Sequence, residues 1–129
     1  MPIKRGILVT VAALLLAACA APQPVQNVSQ SSIVTNKPNA TAEDVRQAIV
    51  RAGLGLGWQM KNAGPGHMIG TLNLRQHVAI VDIGYDRNSY SIRYKDSTNL
   101  NYDGTNIHRN YNSWIQRLDQ QIKIQLSAL

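Results

Sequence analysis

The sequence predicts an α+β fold, a two-layer sandwich in which an antiparallel meander of three to four strands is flanked by an N-terminal helix and a long C-terminal helix. Three observations support this fold class. Residues 42–52 repeat apolar side chains at helical spacing, residues 58–94 alternate apolar and polar side chains, and residues 107–129 return to helical spacing. Helices that cover one face of a sheet give a two-layer α+β arrangement.

The first helix has clear start and stop signals. Thr41 is a favourable N-cap, and Asp44, three residues later, completes a weak capping box. Gly53 is placed to end the helix. The following Gly55 and Gly57 do not form a phosphate-binding loop, because the dinucleotide motif needs a strand before it and a helix after it, and here the order is reversed. One apolar stripe is expected along this helix: Ala42, Val45, Ala48, Ile49 and Ala52.

The middle of the chain reads as strands and turns. Residues 63–66, Ala-Gly-Pro-Gly, are a strong turn, and residues 78–85 form the most apolar strand, a candidate for the sheet centre. Arg75-Gln76 is a candidate for a tight reversal, although it lacks the usual Gly or Asn, so the sequence leaves this turn undecided. The other predicted strands are residues 58–61, 68–74 and 90–94.

A long amphipathic helix closes the chain. Asn106 is a candidate cap, and the apolar residues that follow recur at intervals of one, three or four. Trp114 lies on this stripe and is predicted to pack against Tyr90, Ile92 and Tyr94 in the core. The stripe comprises Ile107, Tyr111, Trp114, Ile115, Leu118, Ile122, Leu126 and Leu129.

The start of the chain has the order of a bacterial export signal. Lys4 and Arg5 are a positive segment, and an apolar run from Gly6 to Leu16 follows. That run is shorter than the roughly 20 apolar residues of a membrane-spanning helix. Leu16-Ala17-Ala18-Cys19 resembles the lipobox of bacterial lipoprotein precursors. The resemblance implies that residues 1–18 are a signal peptide, and that Cys19 receives a diacylglycerol and then an amine-linked acyl chain such as palmitate.

The resemblance also implies a location. The residue after Cys19 is Ala20, and in enteric-type Gram-negative cells Asp at that position retains lipoproteins in the inner membrane. We therefore expect a cell-envelope protein held at the periplasmic face of the outer membrane. The whole chain resembles small envelope lipoproteins of proteobacteria with no assigned biochemical role. Its helix–meander–helix order is similar to helix-grip domains of envelope assembly lipoproteins, an analogy that implies no shared function.

Composition sets the domain organisation. Removing residues 1–18 leaves 111 of the 129 residues, enough for one domain. Residues 19–38 are rich in Pro, Gln, Asn and Ser, so we predict an acylated N-terminus and a flexible tether, with Ile33-Val34 as a short apolar island. Residues 39–129 are the predicted single domain.

Charge and sequence motifs argue against several classes of function. The net charge is +6, or +4 once Lys4 and Arg5 are removed, and the Arg residues are scattered, so no nucleic-acid partner is expected. His67, His77 and His108 lack metal-ligand spacing, and the only Glu is Glu43 in the first turn of a helix. We therefore predict no metal, no cofactor and no catalytic residue. A small envelope hydrolase is the alternative.

One cluster is typical of recognition surfaces, because Asn, Tyr and Arg adapt readily to partners. The predicted binding edge lies at the end of the sheet beside the last helix, and its candidate partner is an envelope protein or a cell-wall component. The competing interpretation is that Tyr111 and Trp114 are core residues, while the Asn residues cap the helix and form turns. The candidate residues are Tyr94, Asn99, Tyr102, His108, Arg109 and Asn112.

Overall fold

Residues 21–129 are described by the computed structural model, in which they form seven strands and two helices. The predicted signal peptide, the lipobox and Cys19 lie outside the described residues. In chain order the elements are β1 (Gln23–Pro24), β2 (Val28–Ser32), α1 (Ala42–Gly55), β3 (Trp58–Asn62), β4 (His67–Leu74), β5 (His77–Tyr85), β6 (Ser89–Thr98), β7 (Asn106–Ile107) and α2 (Arg109–Ser127).

The main sheet is antiparallel and has five strands in the order β2-β6-β5-β4-β3. The α+β class and the meander β3–β6 are therefore confirmed, and β5 is central as predicted. The predicted count of three to four strands is too low, because β2 joins the sheet beside β6. Arg75-Gln76 is a two-residue hairpin turn, with Leu74 opposite His77. Arg75 takes a left-handed φ of 57° there, a conformation that Gly or Asn adopts more easily.

One face of the sheet is buried and the other is not. Along β4 and β5, alternate side chains enter the hydrophobic core, and the intervening ones stay half-exposed. Both helices contribute to the same core, an arrangement compatible with two layers. Tyr90 of β6 is buried in this core, and its hydroxyl donates a hydrogen bond to Asp119 of α2. Burial is the main reason that the pKa of Tyr90 is raised.

Helix α1 starts as predicted and ends later. Thr41 and Asp44 form a reciprocal capping box, in which Thr41 Oγ1 accepts from the Asp44 N–H and Asp44 Oδ2 accepts from the Thr41 N–H. The helix continues past Gly53 to Gly55, and Gly57 has the left-handed φ of 89°. Gly53 packs closely against Met60, because a Cβ there would lie 2.7 Å from Met60 Cγ and a larger residue would require that side chain to shift.

Helix α2 begins at Arg109, after an N-cap at His108. Asn106, the predicted cap, belongs instead to the short strand β7. The apolar stripe of α2 is buried from Tyr111 to Leu126, with one exception. Trp114 is only half-buried, and it lies at the flank of the stripe.

The predicted flexible tether is wrong for residues 23–33. β1 pairs with β7, and β2 pairs with β6 from Val28 opposite Ile92 to Ser32 opposite Ser89. The folded domain therefore starts near Gln23 and not at residue 39. Composition is misleading here, because strand pairing satisfies backbone groups whatever the side chains are. Three apolar side chains of this polar segment pack against the core: Val25, Val28 and Ile33.

A buried amide fixes this segment to α2. Asn112 is 2% exposed. Its Oδ1 accepts a hydrogen bond from the Gln26 N–H at 2.9 Å, and its Nδ2 donates to the Pro24 carbonyl at 2.9 Å. A buried amide needs such partners, since an unsatisfied one costs about 1–3 kcal/mol. Asn112 is thus a structural residue and not part of an accessible binding edge.

The ordered N-terminal segment generates a stability prediction. A chain that begins at Asn36 loses β1 and β2, exposes the edge of β6 and leaves Asn112 unpaired. We expect its free energy of unfolding to fall by at least about 3 kcal/mol relative to a chain that begins at Ala20. Urea unfolding followed by tryptophan fluorescence measures the difference.

Asn112→Ala in the longer chain is the matched control. It should lower the free energy of unfolding by about 1–3 kcal/mol, which is part of the loss caused by the truncation. Equal unfolding midpoints for the two chain lengths would show that residues 20–35 do not stabilise the domain.

Candidate binding site

Three of the predicted residues meet at the end of β6: Tyr94 lies in the strand, and Asn99 and Tyr102 lie in the loop that follows it. The rings of Tyr94 and Tyr102 stack with centroids 3.9 Å apart. Tyr94 also meets Tyr111 of α2 edge-on, at 5.7 Å. The Tyr94 hydroxyl is 2.7 Å from Ser97 Oγ, and burial raises its pKa. Tyr102 lies outermost and is 37% exposed, so its ring is available to a partner.

These tyrosines border an open groove of about 380 Å³, called here the tyrosine groove. Asn99 and Asn101 take left-handed φ values of 58° and 52°, which Asn tolerates better than most residues. Asn99 Nδ2 donates to the Gln76 carbonyl at 2.8 Å, so this amide holds the loop against the β4–β5 hairpin. The lining residues are Tyr94, Asp96, Ser97, Asn99, Leu100, Asn101 and Tyr102.

A buried hydroxyl lies behind the stacked pair. Tyr111 is fully buried, and its hydroxyl has no hydrogen-bond partner within residues 21–129. Burial raises the pKa of Tyr111, with the neighbouring Tyr94 and Tyr102 acting in the same direction. The competing interpretation of the sequence is therefore correct for Tyr111, which is a core residue, while Tyr102 is at the surface.

His108 and Arg109 lie at the start of α2 and not in the tyrosine groove. His108 Nδ1 accepts a hydrogen bond from the Asn110 N–H at 3.1 Å and caps the helix. The His108 ring is 6.1 Å from the ring of His77, whose Nδ1 lies 2.8 Å from the Asn99 carbonyl. Since a carbonyl only accepts, His77 Nδ1 donates. Arg109 is exposed.

A second depression on the surface was not predicted from the sequence. An apolar cleft of about 210 Å³, called here the tryptophan cleft, lies between α2 and the β3–β4 hairpin. Trp58 forms its floor and is 2% exposed; its indole lies over Gly70, where a Cβ would be 3.3 Å from Trp58 Cε3. Trp114 and Arg117 form the α2 side. The remaining lining residues are Leu56, Leu72 and Leu74.

The placement of Trp114 corrects its predicted role. Its ring centroid lies 6.1 Å from that of His77, and its side chain lines the cleft. Tyr111 and Ile115, by contrast, are buried in the core. Trp114 lies on the flank of the α2 stripe, partly buried against the core and at the side of the cleft. The spacing of Trp114 and Arg117, one turn apart at that flank, was the available signal.

Within residues 21–129, no three His, Cys, Asp or Glu side chains are grouped to hold a metal ion. His67 instead pairs with Asp82 at 2.8 Å on the uncovered face of the sheet, where Lys95 also approaches Asp82 at 3.7 Å. Neither helix of the described residues is long and apolar enough to cross a membrane.

No protein-family model, curated protein or solved structure matches this chain.

The two tryptophans should differ in their effect on stability. Trp58→Ala removes a fully buried indole and should cost about 3–5 kcal/mol. Trp114→Ala removes a half-buried one and should cost roughly half as much, because much of its surface is already in water. Denaturant unfolding of the two variants measures both values.

Arg109→Ala, five residues before Trp114 on the same helix, is the control and should cost well under about 1 kcal/mol. If Trp114→Ala lowered the free energy of unfolding as much as Trp58→Ala does, Trp114 would have to be a core residue after all.

Proposed function

We propose that this protein is an envelope lipoprotein with a non-catalytic binding domain. In this proposal Cys19 carries the acyl chains that hold the chain at the periplasmic face of the outer membrane, and the tyrosine groove recognises an envelope protein or a cell-wall component. The domain is a two-layer sandwich with both helices on one face of the sheet. The order of charge, apolar run, Leu and Cys in residues 4–19 supports the anchor.

The observation that carries the binding function is the stacked tyrosine pair at the rim of an open polar groove. Tyr102 presents a rigid ring backed by Tyr94, so little side-chain entropy is lost when a partner covers it. Asn101 and Asp96 are exposed beside it and supply hydrogen-bonding groups. Rigid aromatic surface next to amide and carboxylate groups is typical of recognition sites.

The anchor is tested by the mass of the mature protein. Membrane fractions should contain a chain that lacks residues 1–18 and carries acyl mass on Cys19, which intact-mass spectrometry detects. Cys19→Ala should block processing, because alanine has no thiol to receive the diacylglycerol. Ala20→Ser keeps the thiol and should be processed normally. A mature N-terminus elsewhere, without lipid, would contradict the anchor.

The groove is tested by crosslinking in cells. A photoreactive residue at Asn101 should capture a discrete partner, whereas the same residue at the exposed Gln120 of α2 should not. In the Asn101-labelled chain, Tyr102→Ala should lower capture by about tenfold or more, the scale of a binding hot spot.

Tyr102→Phe is the matched variant. It keeps the stacked ring and loses only a hydroxyl that donates to the Gly104 carbonyl at 3.2 Å, so capture should persist. Equal capture from positions 101 and 120, or no effect of Tyr102→Ala, would show that the groove is not the binding site.

A further inference from the structure

The length of chain between the proposed anchor and the folded domain is very short. Gln23 is already paired with Ile107, and the side chain of Gln23 accepts a hydrogen bond from Asn112 at 3.4 Å. Only three residues, 20–22, separate Cys19 from Gln23. Four residue steps span at most about 14 Å when fully extended. An acylated Cys19 therefore keeps this part of the domain within about 14 Å of the lipid headgroups.

Several segments lie together at this end of the domain, called here the anchor end. β7 leads directly into His108 and the start of α2. The ring of His108 is 6.1 Å from that of His77, which follows the Arg75-Gln76 turn. The anchor end therefore comprises β1, β7, the start of α2 and the β4–β5 hairpin. The β5–β6 turn at residues 86–88 lies at the opposite end of the sheet.

The anchor end has the surface chemistry of a membrane interface. Arg75 and Arg109 are exposed there, and within residues 21–129 neither guanidinium pairs with a carboxylate. Leu74, beside Arg75, is 43% exposed, and Trp114 lies half-buried one helical turn and a half beyond Arg109. Arg, Trp and an exposed apolar side chain favour the boundary between headgroups and acyl chains.

The acidic residues near this end are engaged with the backbone. Asp103 Oδ1 accepts hydrogen bonds from the N–H groups of Thr105 and Asn106, which lower the pKa of Asp103 and keep its carboxylate negatively charged. Asp96 Oδ1 accepts from the Ser97 N–H at 2.8 Å. At the opposite end Lys37 contacts Asp44 at 3.0 Å and Arg46 contacts Glu43 at 2.6 Å, whereas Arg87 is exposed and forms no ion pair within residues 21–129.

We propose that the anchor end lies flat on an anionic lipid surface, with Arg75 and Arg109 at the phosphates and Leu74 and Trp114 at the interface. This inference rests on the proposed acylation of Cys19. In this arrangement the domain has a defined orientation on the membrane, in contrast to a domain that moves freely on a long stalk. The tyrosine groove adjoins the anchor end, because Asn99, which lines the groove, is hydrogen-bonded to Gln76 of the β4–β5 hairpin. A partner in the groove would therefore meet the domain close to the headgroups.

The orientation is tested with two matched hairpin positions. Gln76 and Asn88 are both exposed turn residues, at opposite ends of the sheet. A photoreactive residue is placed at one or the other in the full mature chain, which is bound to vesicles of phosphatidylcholine with phosphatidylglycerol and illuminated. Mass spectrometry then counts protein–lipid adducts. We expect adducts from position 76 and at least tenfold fewer from position 88. Equal yields would overturn the proposal.

Charge is tested on the same sample. Each Arg near an anionic surface contributes about fivefold to its occupancy, so Arg75→Gln with Arg109→Gln should lower the adduct yield from position 76 by about tenfold or more. Vesicles of phosphatidylcholine alone should lower it similarly. Arg87→Gln, in the opposite turn, should leave it unchanged. If neither the two Arg→Gln changes nor the removal of anionic lipid alters the adduct yield, the anchor alone positions this end and no anionic surface is recognised.

The intact mass of the same protein separates this inference from the proposed function. If Cys19 carries acyl chains and positions 76 and 88 give equal yields, the anchor stands and the orientation is wrong. If Cys19 is unmodified, the proposed anchor is wrong. Coupling its thiol to a maleimide-bearing lipid then supplies the same attachment, and the comparison of positions 76 and 88 still decides the orientation.

Discussion

The need to cover one apolar face of the antiparallel sheet determines most of this structure. Alternate residues of β4, β5 and β6 form that face, and α1 and α2 supply the complementary apolar stripes. Burial of this surface is the main source of stability, at roughly 25 cal/mol for each Å² of apolar area. The hydroxyl of Tyr90 donates to Asp119 of α2, so the largest buried side chain of β6 also has a hydrogen-bond partner.

The edge of the sheet explains why the N-terminal segment is ordered. Without β2, β6 would be an open edge with unpaired backbone groups. β2 pairs with that edge, and Asn112 of α2 captures the backbone of residues 24–26. Each interaction is modest alone, but together they join the N-terminal segment to the sheet and to α2. A sequence with the composition of a linker thereby becomes part of the domain.

Ordering of the N-terminal segment changes the meaning of the proposed lipid anchor. A stalk of twenty flexible residues would let the domain search a volume tens of ångströms across. If Cys19 is acylated as proposed, only three residues separate the anchor from Gln23, and surface residues near β1 would then have a defined position relative to the membrane. Two depressions lie toward this end, the tyrosine groove and the tryptophan cleft. Their chemistry differs: the groove is polar with stacked rings, and the cleft is apolar with a single guanidinium at its rim.

The sequence by itself determined the elements whose signals are local. The capping box at Thr41, the turn at residues 63–66, the central strand β5 and the apolar stripe of α2 all follow from spacing and from side-chain chemistry within a few residues. The α+β class follows from the order of these elements. Only the tertiary structure decided features that depend on distant partners. Pairing of β2 with β6, burial of Asn112 and exposure of Trp114 at a cleft involve residues far apart in the chain. Backbone pairing is independent of side-chain identity, so no local pattern predicts the strand pairing or the burial of Asn112. The spacing of Trp114 and Arg117 places both residues on the flank of the α2 stripe, but it does not reveal how much of that stripe the sheet covers.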